Sequence, residues 1–353
     1  MGMPSVNISF TEKAKQVVKR GERGIVALIL RGEVPEENPV TVMEVTDIDS
    51  HMSADNKVQI ENALIGYQKA PKKVICYFIS SDAENYDDAL KYFEKERFDY
   101  LVIPTVETDK MTQTVASWIK AQREHEKKCK AVLPNCAGDS EGIINFTNEK
   151  IIVGNTEFTT EQYCSRIAGL IAGTPLTIAS TYAPLTEVDD CDRLSKEEMD
   201  QAVDSGKFFI FYDGEKCKVA RGVNSFQTTS ADKGNQFKKI KLVEAMDMIY
   251  DDIKRTAEDN YLGKYANSYD NKCILISAIA GYFEQLQMDG IISKYEVGIN
   301  IPEVKAYLKE QGMDVSEMSD NDIKQADTAD KVFLSANVKI LDAIEEINLP
   351  ILI

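Results

Sequence analysis

The sequence predicts an α/β body followed by a C-terminal α+β domain. Three observations carry this. Short apolar strand segments alternate with helical ones over residues 81–225, with brief connections, the pattern of a largely parallel sheet covered by helices. From about residue 226 long amphipathic helices take over, followed by an alternating strand pattern. And 43% of the 353 residues are apolar, which excludes wholesale disorder.

Residues 4–10, PSVNISF, alternate, with Val6, Ile8 and Phe10 on one side, a short strand pattern. The polar, basic stretch TEKAKQVVKRGERG follows. The next block reads as strands over Gly24–Leu30, Val40–Val45 and Val74–Ile79, with a helix near Lys57–Gly66. Ser81 and Glu84 fit a capping box for a helix whose face carries Tyr86, Leu90, Phe93 and Arg97.

A strand over Tyr100–Ile103, a helix marked by Met111, Val115 and Trp118, and strands over Lys130–Leu133 and Lys150–Val153 continue the rhythm. Thr159 and Gln162 fit a second capping box, for a helix bearing Tyr163, Ile167 and Leu170. Ser195 and Glu198 fit a third, closed by Gly206. Phe208–Tyr212 and Cys217–Ala220 flank Asp213-Gly214 as a hairpin.

Farther on, Leu242, Met246, Ile249, Ile253 and Ala257 step by helical turns, as do Leu275, Ile279, Tyr282, Phe283 and Leu286. Pro302 and Gly312 bracket a third, shorter helix. Val332, Leu334, Ala336, Val338 and Ile340 alternate as a strand, and Ile347, Leu349, Ile351 and Ile353 alternate up to the last residue.

Little of the composition points to chemistry. The net charge is −17, which argues against a nucleic-acid binder and against an anionic membrane surface. No apolar run approaches 18 residues, so no direct membrane insertion is expected. The start of the chain lacks the pattern of a signal peptide, and Val6 breaks the myristoylation pattern after Gly2, so folding in a cytoplasm is expected. Seven cysteines without a CxxC are expected as free, mostly buried thiols.

The two histidines, His51 and His125, lie in polar surroundings, and neither GxSxG nor a P-loop motif occurs. No catalytic, cofactor-binding or metal-binding residues are expected. Asp189, Asp190 and Asp192 lack the ligand spacing of an EF-hand and read as a solvated loop. The GxxxG spacing of Gly169 and Gly173 reads as close helix packing in a core.

The two ends of the chain have no comfortable local role. Each apolar side chain there gains roughly 1.5–3 kcal/mol on burial, so each end must add to a sheet of this chain or of a neighbour. Val6, Ile8, Phe10, Ile347, Leu349, Ile351 and Ile353 are therefore the candidate residues for strand exchange between subunits. Residues 11–23 and 341–346 would be the linkers.

The chain resembles the tail sheath proteins of contractile phage tails and of phage-tail-like bacteriocins, in their short form. The stretches that carry the resemblance are PSVNISFTEKA (4–14), YCSRIAGLIAGTPLTIASTYAPL (163–185), VARGVNSF (219–226), FKKIKLVEAMDMIYDDI (237–253) and VKILDAIEEINLPILI (338–353). It implies a structural subunit, not an enzyme, that stacks as hexameric rings around a tail tube and contracts to drive the tube through a cell envelope. Terminal arms would add strands to neighbouring copies.

The implied partners are other copies, the tube protein, and baseplate and tail terminator proteins, with no cofactor and no nucleic acid. The implied location is a virion tail or bacteriocin particle assembled in a bacterial host. The α/β part carries a subtilisin-like label in that family, a label of fold and not of activity.

The expected layout is an N-terminal arm and linker (1–23), a β-rich subdomain (24–80), the α/β domain (81–225), a C-terminal α+β sheath domain (226–340) and a C-terminal arm (341–353). A soluble α/β hydrolase-like enzyme and a non-contractile adaptor or baseplate protein are the competing readings.

Overall fold

The computed structural model describes residues 18–352, so Val6, Ile8, Phe10 and Ile353 lie outside the described residues. The chain divides into two compact units. Of the described residues, one comprises 21–249 and 341–352, and the other 18–20 and 250–340.

In chain order the larger unit carries β1 (Ile25–Arg31), β2 (Val40–Val42), α1 (Ala54–Ile65), β3 (Lys73–Ile79), α2 (Asp87–Phe93), β4 (Tyr100–Val102), α3 (Thr112–Glu124), β5 (Lys130–Pro134) and β6 (Ile143–Phe146). It continues with β7 (Ile151–Val153), β8 (Thr156–Phe158), α4 (Thr160–Ala172), β9 (Asp190–Cys191), α5 (Lys196–Asp204), β10 (Lys207–Phe208), β11 (Ile210–Tyr212) and β12 (Cys217–Val219). α6 (Ile240–Asn260) runs through the boundary between the units.

A seven-stranded sheet with the order β10-β6-β5-β4-β1-β3-β2 forms the centre of this unit. All its pairs are parallel except β2 with β3. β1 is apolar from Ile25 to Leu30 because both its faces are covered there. Val26, Leu28 and Leu30 join a core with α1 and α4. Ile25, Ala27 and Ile29 join a second core with α2 and α3.

Residues 24–80, expected as a β-rich subdomain, are not separate, since β1 and β3 lie in the middle of this sheet. A strand buried on both faces and hydrogen-bonded on both edges requires neighbours on each side. β1 takes β3 on one edge and β4, from the α/β segment, on the other.

Two of the three expected capping boxes form, Thr159 with Gln162 at α4 and Ser195 with Glu198 at α5. The Ser81–Glu84 box does not. α2 starts later, after Tyr86, because Arg31 Nη1 donates to the carbonyl of Ala83 at 2.8 Å and the Tyr86 hydroxyl donates to Asp109. These long-range bonds hold residues 83–86 out of a helix.

The run Phe208–Tyr212 is expected as one strand and is two. β10 pairs with β6 in the large sheet, while β11 pairs with β12 in the expected hairpin. Asn148 makes the division by bonding both polar groups of the Ile210 backbone. Its Nδ2 donates to the carbonyl at 2.9 Å, and its Oδ1 accepts from the amide at 2.7 Å.

Gly169 and Gly173 do serve close packing. A Cβ at Gly169 would lie 2.0 Å from the Ala63 carbonyl oxygen, and one at Gly173 2.1 Å from that of Lys69. Only glycine lets α4 approach α1 and the turn after it this closely.

The smaller unit holds the second part of α6, then α7 (Tyr269–Met288), β13 (Ile292–Ile299), α8 (Ile301–Glu310), α9 (Asp320–Gln325) and β14 (Leu334–Ile340). Pro302 stands in the first turn of α8, where its missing N–H costs nothing. A small core of Val304, Leu308, Val315 and Ile323 joins α8 to α9.

Candidate functional site

β13 and β14 form an antiparallel ladder from Ile292–Ile340 to Ile299–Leu334. This sheet has two strands among the described residues. α7 supports it, with Phe283 and Tyr295 ring centroids 5.7 Å apart. Each strand keeps one edge without a ladder partner among the described residues, and such an edge is a template for another strand. The sequence reading included β14 and missed β13. Its period-two signal, Tyr295, Val297 and Ile299, is interrupted by an irregularity between Ile292 and Lys294.

The C-terminal tail contributes the second feature. Residues 341–352 carry no helix or strand. Ile347 is 85% exposed, Leu349 73% and Ile351 77%. The strand expected over these residues is therefore not paired within the described chain. Backbone hydrogen bonds make a strand, and this segment joins no sheet among the described residues.

The root of the tail is differently placed. The Glu345 side chain is only 8% exposed. It accepts from Thr181 Oγ1 at 2.6 Å, from Arg221 Nε at 3.1 Å and Nη2 at 2.9 Å, and from Lys239 Nζ at 3.0 Å. Burial works against the carboxylate. The hydrogen bonds from Thr181, Arg221 and Lys239 outweigh it and hold Glu345 below its ordinary pKa. Lys239 also pairs with Asp342, and Lys241 donates to the Leu341 carbonyl.

A buried ionic network supports the body that carries this root. Lys130 Nζ lies 2.9 Å from both Glu244 and Asp247, and Arg123 donates to Asp247 at 2.9 and 3.0 Å. Tyr100 OH donates to Glu244 at 2.6 Å. Burial opposes the Asp247 charge, but Lys130 and Arg123 outweigh it and depress its pKa. The network ties the beginning of α6 to the amino ends of β4 and β5.

The residues weighed for catalysis stand apart from any such centre. His51 is exposed, with Nδ1 3.1 Å from Asp49 Oδ1. His125 is exposed at the carboxyl end of α3. Neither lines the crevice of about 430 Å³ at the carboxyl ends of β1 and β4, the switch point where ligands of open α/β sheets bind. Arg31 in that crevice is already paired with Asp109 at 2.8 Å.

Of the aspartates expected as a solvated loop, Asp189 is exposed, Asp190 lies in β9 and pairs with Arg193, and two of the three accept from backbone amides. Asp192 accepts from the amides of Glu149 and Lys150, and Asp189 from that of Gly154. The cysteines are free, six of them buried and Cys273 half-buried. Among the described residues no acidic, histidine and cysteine side chains group as metal ligands, and no helix is long and apolar enough to cross a membrane.

A family model described as the phage tail sheath protein central domain matches residues 80–225, and one described as the phage tail sheath C-terminal domain matches residues 232–352. A tail sheath protein of Clostridium phage phiCD119 is 38% identical over 356 residues, covering 99% of this chain and 98% of that protein.

Two solved structures share the fold. The sheath tail protein of Desulfitobacterium hafniense has a TM-score of 0.69 at 21% identity, covering 83% of this chain and 93% of that one. The helical sheath of the anti-feeding prophage in its contracted state has a TM-score of 0.69 at 16% identity, covering 100% and 98%.

Proposed function

The chain belongs to the phage tail sheath protein family, and on that premise we propose that it is the repeating structural subunit of a contractile tail sheath. The observation that carries the reading is the mismatch between tail and sheet. Apolar side chains at Ile347, Leu349 and Ile351 stand in solvent, while the β13–β14 sheet has two edges without a ladder partner among the described residues. A copy that receives a neighbour's arm on such an edge buries the side chains and pairs the backbone together. The N-terminal run Val6, Ile8 and Phe10 is the second arm, so two arms match two edges.

Such exchange is heterologous, one patch meeting a different patch on the next copy, and heterologous contacts build rings or helices. The proposed assembly is hexameric rings stacked around a tail tube and joined to baseplate and terminator proteins. Contraction would be a change between two packings of the same subunit, with the strands keeping neighbours joined. The proposed division of labour is residues 1–23 and 341–353 as arms, 226–340 as the domain that receives them, and 81–225, with the strands of 24–80 completing its sheet, as the α/β body. The particle is a phage tail or a headless bacteriocin, assembled in the host cytoplasm.

Negative-stain microscopy of the purified full chain tests the reading. Tubes or rings are expected. Uniform monomers at every concentration, with hydrolytic turnover, would replace it with the enzyme reading.

A further inference from the structure

Four of the stretches that carry the family resemblance meet at one carboxylate. Thr181 comes from 163–185, Arg221 from 219–226, Lys239 from 237–253 and Glu345 from 338–353. Ile344, next to Glu345, is 86% exposed, so the chain at this point is held by the carboxylate and not by apolar packing. The linker expected over 341–346 is fastened at Leu341, Asp342 and Glu345 to its own body, and the exposed Glu346 adds only a solvent-screened pair with Arg221 at 3.3 Å. The exposed apolar run begins two residues after Glu345.

We infer that Glu345 is a positioning residue that roots the C-terminal arm on its own subunit, so that only residues 346–353 extend to a second copy of the chain. This rests on the sheath reading above and adds a distance to it. Eight extended residues span at most about 26–29 Å, against about 43–47 Å for the thirteen residues from Leu341 onward. The receiving sheet edge of the neighbour must therefore lie within the shorter reach of Glu345. A root ordered beforehand also spares the arm part of its ordering entropy at docking. A shorter tether raises the effective concentration of the arm at its receptor.

The test uses the full chain in a Cys273→Ser background, with a nitroxide on Ile344→Cys and an otherwise matched unlabelled set. In dispersed subunits the label should be restricted when Glu345 is present, and sharpen to fast motion in Glu345→Ala. Arg221→Ala should reproduce the sharpening. In the unlabelled set, Glu345→Ala should raise the concentration needed for polymerisation roughly tenfold, the scale of a lost preorganisation, with circular dichroism unchanged.

An unchanged line shape, or an unchanged polymerisation threshold, overturns the inference while the sheath reading stands. A wild-type chain that never polymerises overturns the sheath reading and the inference with it.

Discussion

Gly169 on α4 faces the carbonyl of Ala63 on α1 so closely that a Cβ at 169 would sit 2.0 Å from that oxygen. The obstacle is backbone, which cannot swing aside as a side chain can. Replacing Gly169 by Ala should gain up to about 1 kcal/mol of helix propensity and lose more to overpacking, commonly about 1–3 kcal/mol. A net loss of roughly 1–2 kcal/mol is expected in urea denaturation, with α1 the first helix to lose hydrogen-exchange protection. Equal or greater stability would mean that the two helices separate without cost.

Lys130 stands between two buried carboxylates, Glu244 and Asp247, at 2.9 Å from each. Lys130→Met should destabilise by about 3 kcal/mol, the low end for a buried pair that loses one partner, because Arg123 still holds Asp247. The same network sets a pH dependence. Asp247 has its folded pKa below the ordinary value, so its contribution is present above about pH 4 and is lost as pH falls through the folded pKa. Thermal melts from pH 7 to pH 2 should show this loss in wild type. It should begin at higher pH in Lys130→Met.

Asn148 is 1% exposed and satisfies both backbone groups of Ile210. Asn148→Ala leaves the buried Ile210 amide without a partner and its carbonyl with only the weak Cys191 thiol donor, at about 1–3 kcal/mol for each group. A loss of roughly 2–4 kcal/mol is expected, and the β11–β12 hairpin should exchange its amides faster than the large sheet. Uniform exchange across both would argue against a local role.

Deleting residues 347–353 should abolish polymers and leave a folded, soluble subunit. Ile347, Leu349 and Ile351 are exposed and contribute little to the core, so circular dichroism and the melting temperature should stay near those of dispersed wild type. Ile8→Asp should do the same from the other end by placing an unpaired carboxylate in an apolar contact. Normal sheaths from either variant would remove that arm from the assembly mechanism.

His51 and His125 should be dispensable. Both are exposed and remote in the sequence. The double variant His51→Ala, His125→Ala should assemble as wild type does. A hydrolytic activity of the wild type that this variant lacks would count against a purely structural subunit.

The sequence by itself determined the elements whose causes are local. The Thr159–Gln162 and Ser195–Glu198 caps, the Asp213-Gly214 hairpin and the helix α6 depend on residues within a few positions of one another, and the structure contains them. The glycine pair at 169 and 173 was legible too, because only a close approach makes that spacing useful. The apolar alternation of Ile347, Leu349 and Ile351 was legible too, and these side chains stand exposed.

Tertiary structure decided what depends on distant residues. The Ser81–Glu84 box matches its motif and fails, since Arg31 and Asp109 capture the same loop. One apolar run became β10 and β11 because Asn148 intercepts Ile210. Glu345 looks like any charge on a polar linker until Thr181, Arg221 and Lys239 converge on it from positions 106 to 164 residues away. Periodicity and caps report which face a residue presents. Which partner meets that face is set by the packing of the whole chain, and no window of neighbouring residues contains that information.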